Sequence, residues 1–251
     1  MSLALKLMLS PLLVTQAVMT RARLPRLPEP EGPRSGVTGQ GGPLRLLICG
    51  DSSAAGVGVV TQRLALASQL ADRVAEQLPA RVTWRLLARS GLTTAQTFDL
   101  LREQLHAGAG GSTPVADIAI VVTGVNDVVD QISSRRAVAA REALGNWLRN
   151  AMGVQHVVHA PLPPIHQFPG LPQPLRWVAG SDARRHNAAL AEWASSRGDV
   201  SCVAMEVPLN RGVMAADGFH PGEPVYRYCA GAIADHIATQ VWPTLQQELR
   251  P

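Results

Sequence analysis

LRLLICGDSSAAGVG, residues 44–58, passes from a short apolar run through a glycine into a helical pattern. The run at 44–49 is short, continuous and bounded by glycine, which predicts a buried strand. Gly50, Asp51 and Ser52 then make a sharp turn. A serine just past the end of a central parallel strand stands on the rim where open α/β sheets build their sites. Ser52 is therefore the first candidate nucleophile.

Downstream the pattern alternates between strand and helix. Residues 61–78 carry Leu64, Ala67, Leu70, Val74 and Leu78 at helical spacing, and Pro79 stops them. A second strand is predicted over 81–87, ending at Ser90 and Gly91, and a second helix over 93–105, opened by the cap candidates Thr93 and Thr94. A glycine-rich loop at 106–114 leads to a third strand at 118–122, which runs into Thr123, Gly124, Val125, Asn126 and Asp127. A helix over 134–152 and a strand over 156–159 follow. Six prolines between 161 and 180 argue against a regular element there. A helix over 183–196, a fifth strand over 200–205 and a last helix within 223–249 complete the pattern.

This alternation implies an α/β fold: one flavodoxin-like, three-layer α/β/α domain with a five-stranded parallel sheet in the order 2-1-3-4-5. That order sets the ends of strands one and three side by side. Ser52 and Asn126 follow those two strands, which is the main physical reason to expect a site there.

With 251 residues the chain has room for one large domain, assigned to 44–251. Residues 21–43 are rich in proline and glycine and read as a linker with little regular structure. Residues 1–20 are an apolar segment interrupted by Lys6 and Pro11, at the short end for a membrane span. Arg21, Arg23 and Arg26 follow that segment rather than precede it, and no small-residue cleavage site comes after, unlike a secretory signal. Residues 1–26 are expected to touch a membrane surface or fold back over the domain, with a single-span anchor as the alternative. The chain is accordingly placed in the cytoplasm or at a membrane.

Charged residues at 17% and hydrophobic ones at 46% fit a folded globular chain. The net charge of +4 comes from dispersed arginines, and aromatic residues make up 4%, so a solvated basic surface is favoured over nucleic-acid binding. Cys49, Cys202 and Cys229 have no C-x-x-C spacing, and the first two fall in predicted strands. Neither a disulfide framework nor a zinc site is expected.

A serine hydroxyl needs a base within hydrogen-bond reach and a third group to orient that base. His156 and His159 flank a strand and read as core or rim residues. His106, His186 and His236 lie in or beside helical segments without an obvious partner, and His166 sits in the proline-rich loop. His220 differs, because it follows the fifth strand within Asp217-Gly218-Phe219-His220-Pro221. Asp217 can accept from one ring nitrogen while the other takes the serine proton. The Ser52 N–H, the Gly91 N–H and the Asn126 amide are candidate oxyanion donors. The Pro-rich loop, with Ile165, Phe168, Leu171, Leu175 and Trp177 on its apolar side, is expected to wall an acyl pocket, together with the N-terminal arm.

Two other readings fit less well. A G-x-S-x-G elbow is absent around Ser52. Gly50, Gly56 and Gly58 do not have G-x-G-x-x-G spacing, no P-loop lysine follows, and the second strand ends in Ala88-Arg89-Ser90 without an acidic residue for a ribose.

Together these residues resemble the SGNH or GDSL hydrolases. Gly50-Asp51-Ser52 matches the first block of that family, Ser90-Gly91-Leu92-Thr93-Thr94 its second, Gly124-Val125-Asn126-Asp127 its third and Asp217 to Pro221 its last. The blocks stand in the family's order, and Ser53 replaces the usual leucine after G-D-S. The resemblance implies a serine carboxylic-ester hydrolase acting on a small acyl ester through an acyl-enzyme on Ser52. The same site also suits an acyltransferase, a thioesterase or lysophospholipase, or a carbohydrate O-deacetylase. No metal or organic cofactor is implied.

Overall fold

A computed structural model describes residues 3–105, 115–207 and 209–248. The loop expected at 106–114, with His106, lies outside the described residues. The helices are α1 (Leu3–Arg23), α2 (Ser52–Ala55), α3 (Leu66–Gln77), α4 (Thr94–Gln104), α5 (Val125–Val129), α6 (Ser134–Met152), α7 (Leu175–Ser195), α8 (Glu223–His236) and α9 (Trp242–Glu248). The strands are β1 (Ser35–Thr38), β2 (Gly42–Gly50), β3 (Ala80–Ala88), β4 (Ile118–Val122), β5 (His156–His159) and β6 (Val200–Cys202). They form one sheet in the order β1-β3-β2-β4-β5-β6. Every pairing is parallel except β1 with β3. Without β1, this is the expected five-stranded order.

The side-chain alternation of β2 divides the core between the two faces of the sheet. Leu44, Leu46 and Ile48 pack with Ile118, Ile120 and Val158 beneath α3 and α8. Leu47 and Cys49 pack with Ala119, Val121 and Val157 beneath α4, α6 and α7. Both faces are covered, which is why β2 and β4 read as continuous apolar runs.

Three stretches depart from expectation. The 21–43 segment contributes β1, an edge strand antiparallel to β3 from Ser35 opposite Arg85 to Thr38 opposite Val82. Four residues between glycine- and proline-rich flanks carry too short an alternation to announce a strand. Helix α7 begins at Leu175 rather than near 183, because Pro172 and Pro174 stand ahead of its first turn, where a missing N–H costs nothing. The C-terminal helix is interrupted by a π turn over Ile237–Val241, two residues before Pro243, whose ring nitrogen cannot continue an α-helical ladder.

The buried histidines follow from this packing. His159, on β5, is fully buried and stacks edge-on against Trp193 at 5.8 Å between ring centroids. Ser201 Oγ on β6 lies 2.9 Å from His156 Nε2 and 2.7 Å from His236 Nε2, joining β5, β6 and α8. Burial, aided by the charges of Arg141 and His156, drives the His159 pKa down to about 3. An unfolded histidine titrates near 6.5, so below that pH the unfolded chain takes up a proton that the fold refuses, and stability falls as the pH falls. His159→Phe removes this penalty. Between pH 7 and pH 5 the variant is expected to lose about 2 kcal/mol less stability than the wild type, measured by chemical denaturation at each pH.

Candidate active site

Gly50, Ala88 and Val122 lie side by side where β2, β3 and β4 end. At Gly50 the backbone presses so close to β4 that a Cβ would stand 1.9 Å from Val122 O, so only glycine fits. The next residue returns a hydrogen bond, Asp51 N to Val122 O at 3.1 Å. Asp51 then caps α2, its carboxylate accepting from Ser53 N at 2.9 Å. Ser52 becomes the first residue of this helix, where its own N–H has no intrahelical acceptor.

His220 arrives from a tight turn after β6. Asp217 Oδ1 accepts the backbone N–H groups of Phe219 and His220, each at 2.9 Å. Asp217 Oδ2 lies 2.6 Å from His220 Nδ1, and His220 Nε2 lies 3.1 Å from Ser52 Oγ. A hydrogen on Nδ1, held by the carboxylate, leaves Nε2 bare to accept the serine hydroxyl. Burial alone would raise the Asp217 carboxyl. The bonds from the His220 ring and from the His220 and Phe219 N–H groups outweigh it and hold the group below its ordinary range. The turn is braced from outside, with Gly170 N donating to Gly218 O at 2.8 Å and Pro221 O lying against Gly58, where a Cβ would stand 2.2 Å away.

Gly91 and Asn126 follow β3 and β4 on the same rim. Gly91 lies in an exposed turn with open space where a side chain would be. Asn126 Nδ2 donates to Leu92 O at 3.0 Å, which ties α5 to the turn that holds Gly91. His166 packs instead on α7, 3.4 Å from Arg184. His186 Nε2 donates to Ile132 O at 3.0 Å. Among the described residues no group of three His, Cys, Asp or Glu side chains is placed to hold a metal ion.

A buried polar layer underlies this rim. Asp127 accepts from Thr94 N at 2.9 Å and Thr94 Oγ1 at 2.6 Å, and Arg141 Nη1 lies 3.7 Å from its carboxylate. Arg141 Nη2 donates to Thr123 O at 3.1 Å. Burial pushes the Asp51 carboxyl up to about 7, with nearby Asp127 adding to the rise and the Ser53 N–H, His220 and Arg141 opposing it. Sequence reasoning missed Arg141. The signal was present, since it occupies a core position of α6 alongside Ala137, Leu144, Leu148 and Met152.

Beside Ser52 and His220 opens a cavity of about 90 Å³, with walls that are mostly apolar. Leu162 and Phe168 from the proline-rich loop face Met205, Leu209, Met214 and Phe219 from the chain after β6. The loop thus lines it, through Phe168 as expected and through Pro161, Leu162, Pro163 and Pro164 in place of Ile165, Leu171, Leu175 and Trp177. None of the described side chains of α1 lines it.

Residues 48–228, more than half of the chain, match the model of the GDSL-like lipase/acylhydrolase family. No curated protein matches. Among solved structures, the lipase Lip_vut3 from a goat rumen metagenome is similar at a TM-score of 0.62 and 18% identity, over 78% of this chain and 98% of that one. A lipolytic G-D-S-L family protein from Veillonella parvula gives 0.59 and 16%, over 78% and 98%. A family 3 carbohydrate esterase from Clostridium thermocellum gives 0.59 and 15%, over 83% and 100%. At these identities the likeness is one of fold.

Removing one member of a buried ion pair strands the other and costs about 3–5 kcal/mol. Arg141→Met is expected to lose stability of that order in urea unfolding. Adding Asp127→Asn, which removes the stranded charge, should restore part of the loss.

Proposed function

Since the chain belongs to the GDSL-like lipase/acylhydrolase family, we propose that it is a serine carboxylic-ester hydrolase that works through an acyl-enzyme on Ser52. The observation that carries this reading is the relay from Asp217 Oδ2 to His220 Nδ1 at 2.6 Å and from His220 Nε2 to Ser52 Oγ at 3.1 Å. Ser52 Oγ attacks the ester carbonyl while His220 Nε2 takes its proton. Asp217 stabilises the imidazolium so formed and keeps its orientation. The Ser52 N–H, the Gly91 N–H and the Asn126 amide donate to the oxyanion. His220 protonates the departing alcohol, then activates a water that frees the acid and returns the proton to Ser52.

The apolar cavity beside Ser52 takes the acyl chain. At about 90 Å³ it holds on the order of six waters, given the roughly 15 Å³ that each needs by the same measure. That suits a short to medium chain, and its mostly apolar walls favour hydrocarbon over the hydroxyls of a sugar.

The test is hydrolysis of p-nitrophenyl esters from acetate to palmitate. Activity should peak between butyrate and octanoate and vanish in Ser52→Ala. Asn126→Ala should lower kcat by about 10²–10³-fold, the usual loss for one oxyanion donor. Undiminished turnover in Ser52→Ala would sink the assignment.

A further inference from the structure

Helix α1 is turned the wrong way round for a surface helix. Such a helix normally buries its apolar stripe and shows its polar side to water. Here polar side chains face the protein. Lys6 Nζ meets Asp182 Oδ2 of α7 at 2.7 Å. Gln16 donates to Gln173 O at 2.7 Å and accepts from Leu175 N at 3.1 Å. Among the described side chains of α1, Leu13 alone is buried.

The opposite side is apolar. At 3.6 residues per turn, Leu7, Met8, Leu12, Val14, Val18 and Met19 share one face, and they are 42–74% exposed. Thr15 falls within that face, but its hydroxyl is returned to Pro11 O at 2.9 Å. Arg21 and Arg23 sit at the two margins of the face, and both are exposed, as is Arg26. No acidic residue occurs between 3 and 28. Trp177, near the end of α7 that holds Gln16, is also exposed, and tryptophan favours the boundary between water and lipid.

We propose that α1 docks the protein on an anionic phospholipid bilayer. The helix lies flat, its apolar face among the acyl chains and Arg21, Arg23 and Arg26 against lipid phosphates. It does not span, for no helix among the described residues is long and apolar enough to cross a membrane. A second copy of the chain is the weaker fit, because α1 offers no acidic side chain to meet those arginines. The bonds to α7 fix the helix so that the lipid-seeking side points away from the domain. Docking does not depend on the chemistry at Ser52.

Cosedimentation of the full chain with phosphatidylcholine vesicles, with and without phosphatidylglycerol, tests this. The protein should bind the phosphatidylglycerol vesicles, less so in high salt, and bind poorly without the anionic lipid. Arg21→Gln with Arg23→Gln should weaken binding by about 30-fold, since each arginine near such a surface is worth about fivefold. Met8→Glu with Val18→Glu should abolish binding while the thermal melt and near-UV circular dichroism stay unchanged. Failure of the wild type to bind anionic vesicles overturns the proposal, as does undiminished binding by the glutamate variant. So does light scattering that shows a wild-type dimer which the glutamate variant splits, since a second copy would then cover the face.

Discussion

The site is built around a contact that no side chain survives, the backbone of Gly50 against the carbonyl of Val122. It closes the gap between β2 and β4 at their last residues and lets Asp51 N bond across to Val122 O. The chain must then turn sharply, and the turn delivers Ser52 to the start of α2 with Asp51 behind it as the cap. A larger residue at position 50 would push β2 from β4 and carry Ser52 away from His220. The 3.1 Å separation of Ser52 Oγ and His220 Nε2 thus rests on a main-chain approach two residues upstream.

Beneath the rim the protein keeps polar groups where apolar ones would pack more cheaply. Arg141 and Asp127 are both almost fully buried. A buried pair of this kind contributes little net stability, because desolvation offsets attraction. What it supplies is position. Asp127 holds Thr94 at the start of α4, while Arg141 holds Thr123 where β4 runs into α5. Those are the two segments that carry Gly91 and Asn126. The layer acts as a joint between two helix starts, and its hydrogen-bond directions leave little freedom for either to slide.

Much of this architecture could be read from residue pattern. The apolar runs of β2 and β4 and the periodicity of α6 are long or regular enough to stand alone, and the bounds of α6 and β5 agree with the observed ones. The D-x-x-H spacing suffices for the Asp217–His220 contact because both residues lie in one turn. The parallel order β3-β2-β4-β5-β6 brings the turns after β2, β3 and β4 to one edge. What escaped notice depends on partners distant in sequence. β1 exists because the outer edge of β3 accepts it. Arg141 is tolerated in a core position only because Asp127 waits across the layer. The strand expected to reach 205 ends at Cys202, which leaves Met205 outside it, and Leu209 and Met214 lie outside the helices and strands, with no periodic pattern to mark them. The arm's apolar composition was plain, but which side faced the protein was decided by Asp182 and Gln173.

The serine shared by His156 and His236 makes two similar residues unlike. The Ser201 hydroxyl has a single hydrogen, so when it donates to one ring it must accept from the other. In that arrangement the ring that accepts carries its hydrogen on Nδ1 and the other on Nε2, so the two rings take opposite tautomers. The ring that already donates can gain a second proton without disturbing the bridge. The ring that accepts can do so only if the hydroxyl turns its hydrogen away and accepts from both rings. Burial holds both rings below the ordinary histidine range, and the charge of His236 helps to lower His156 to about 4.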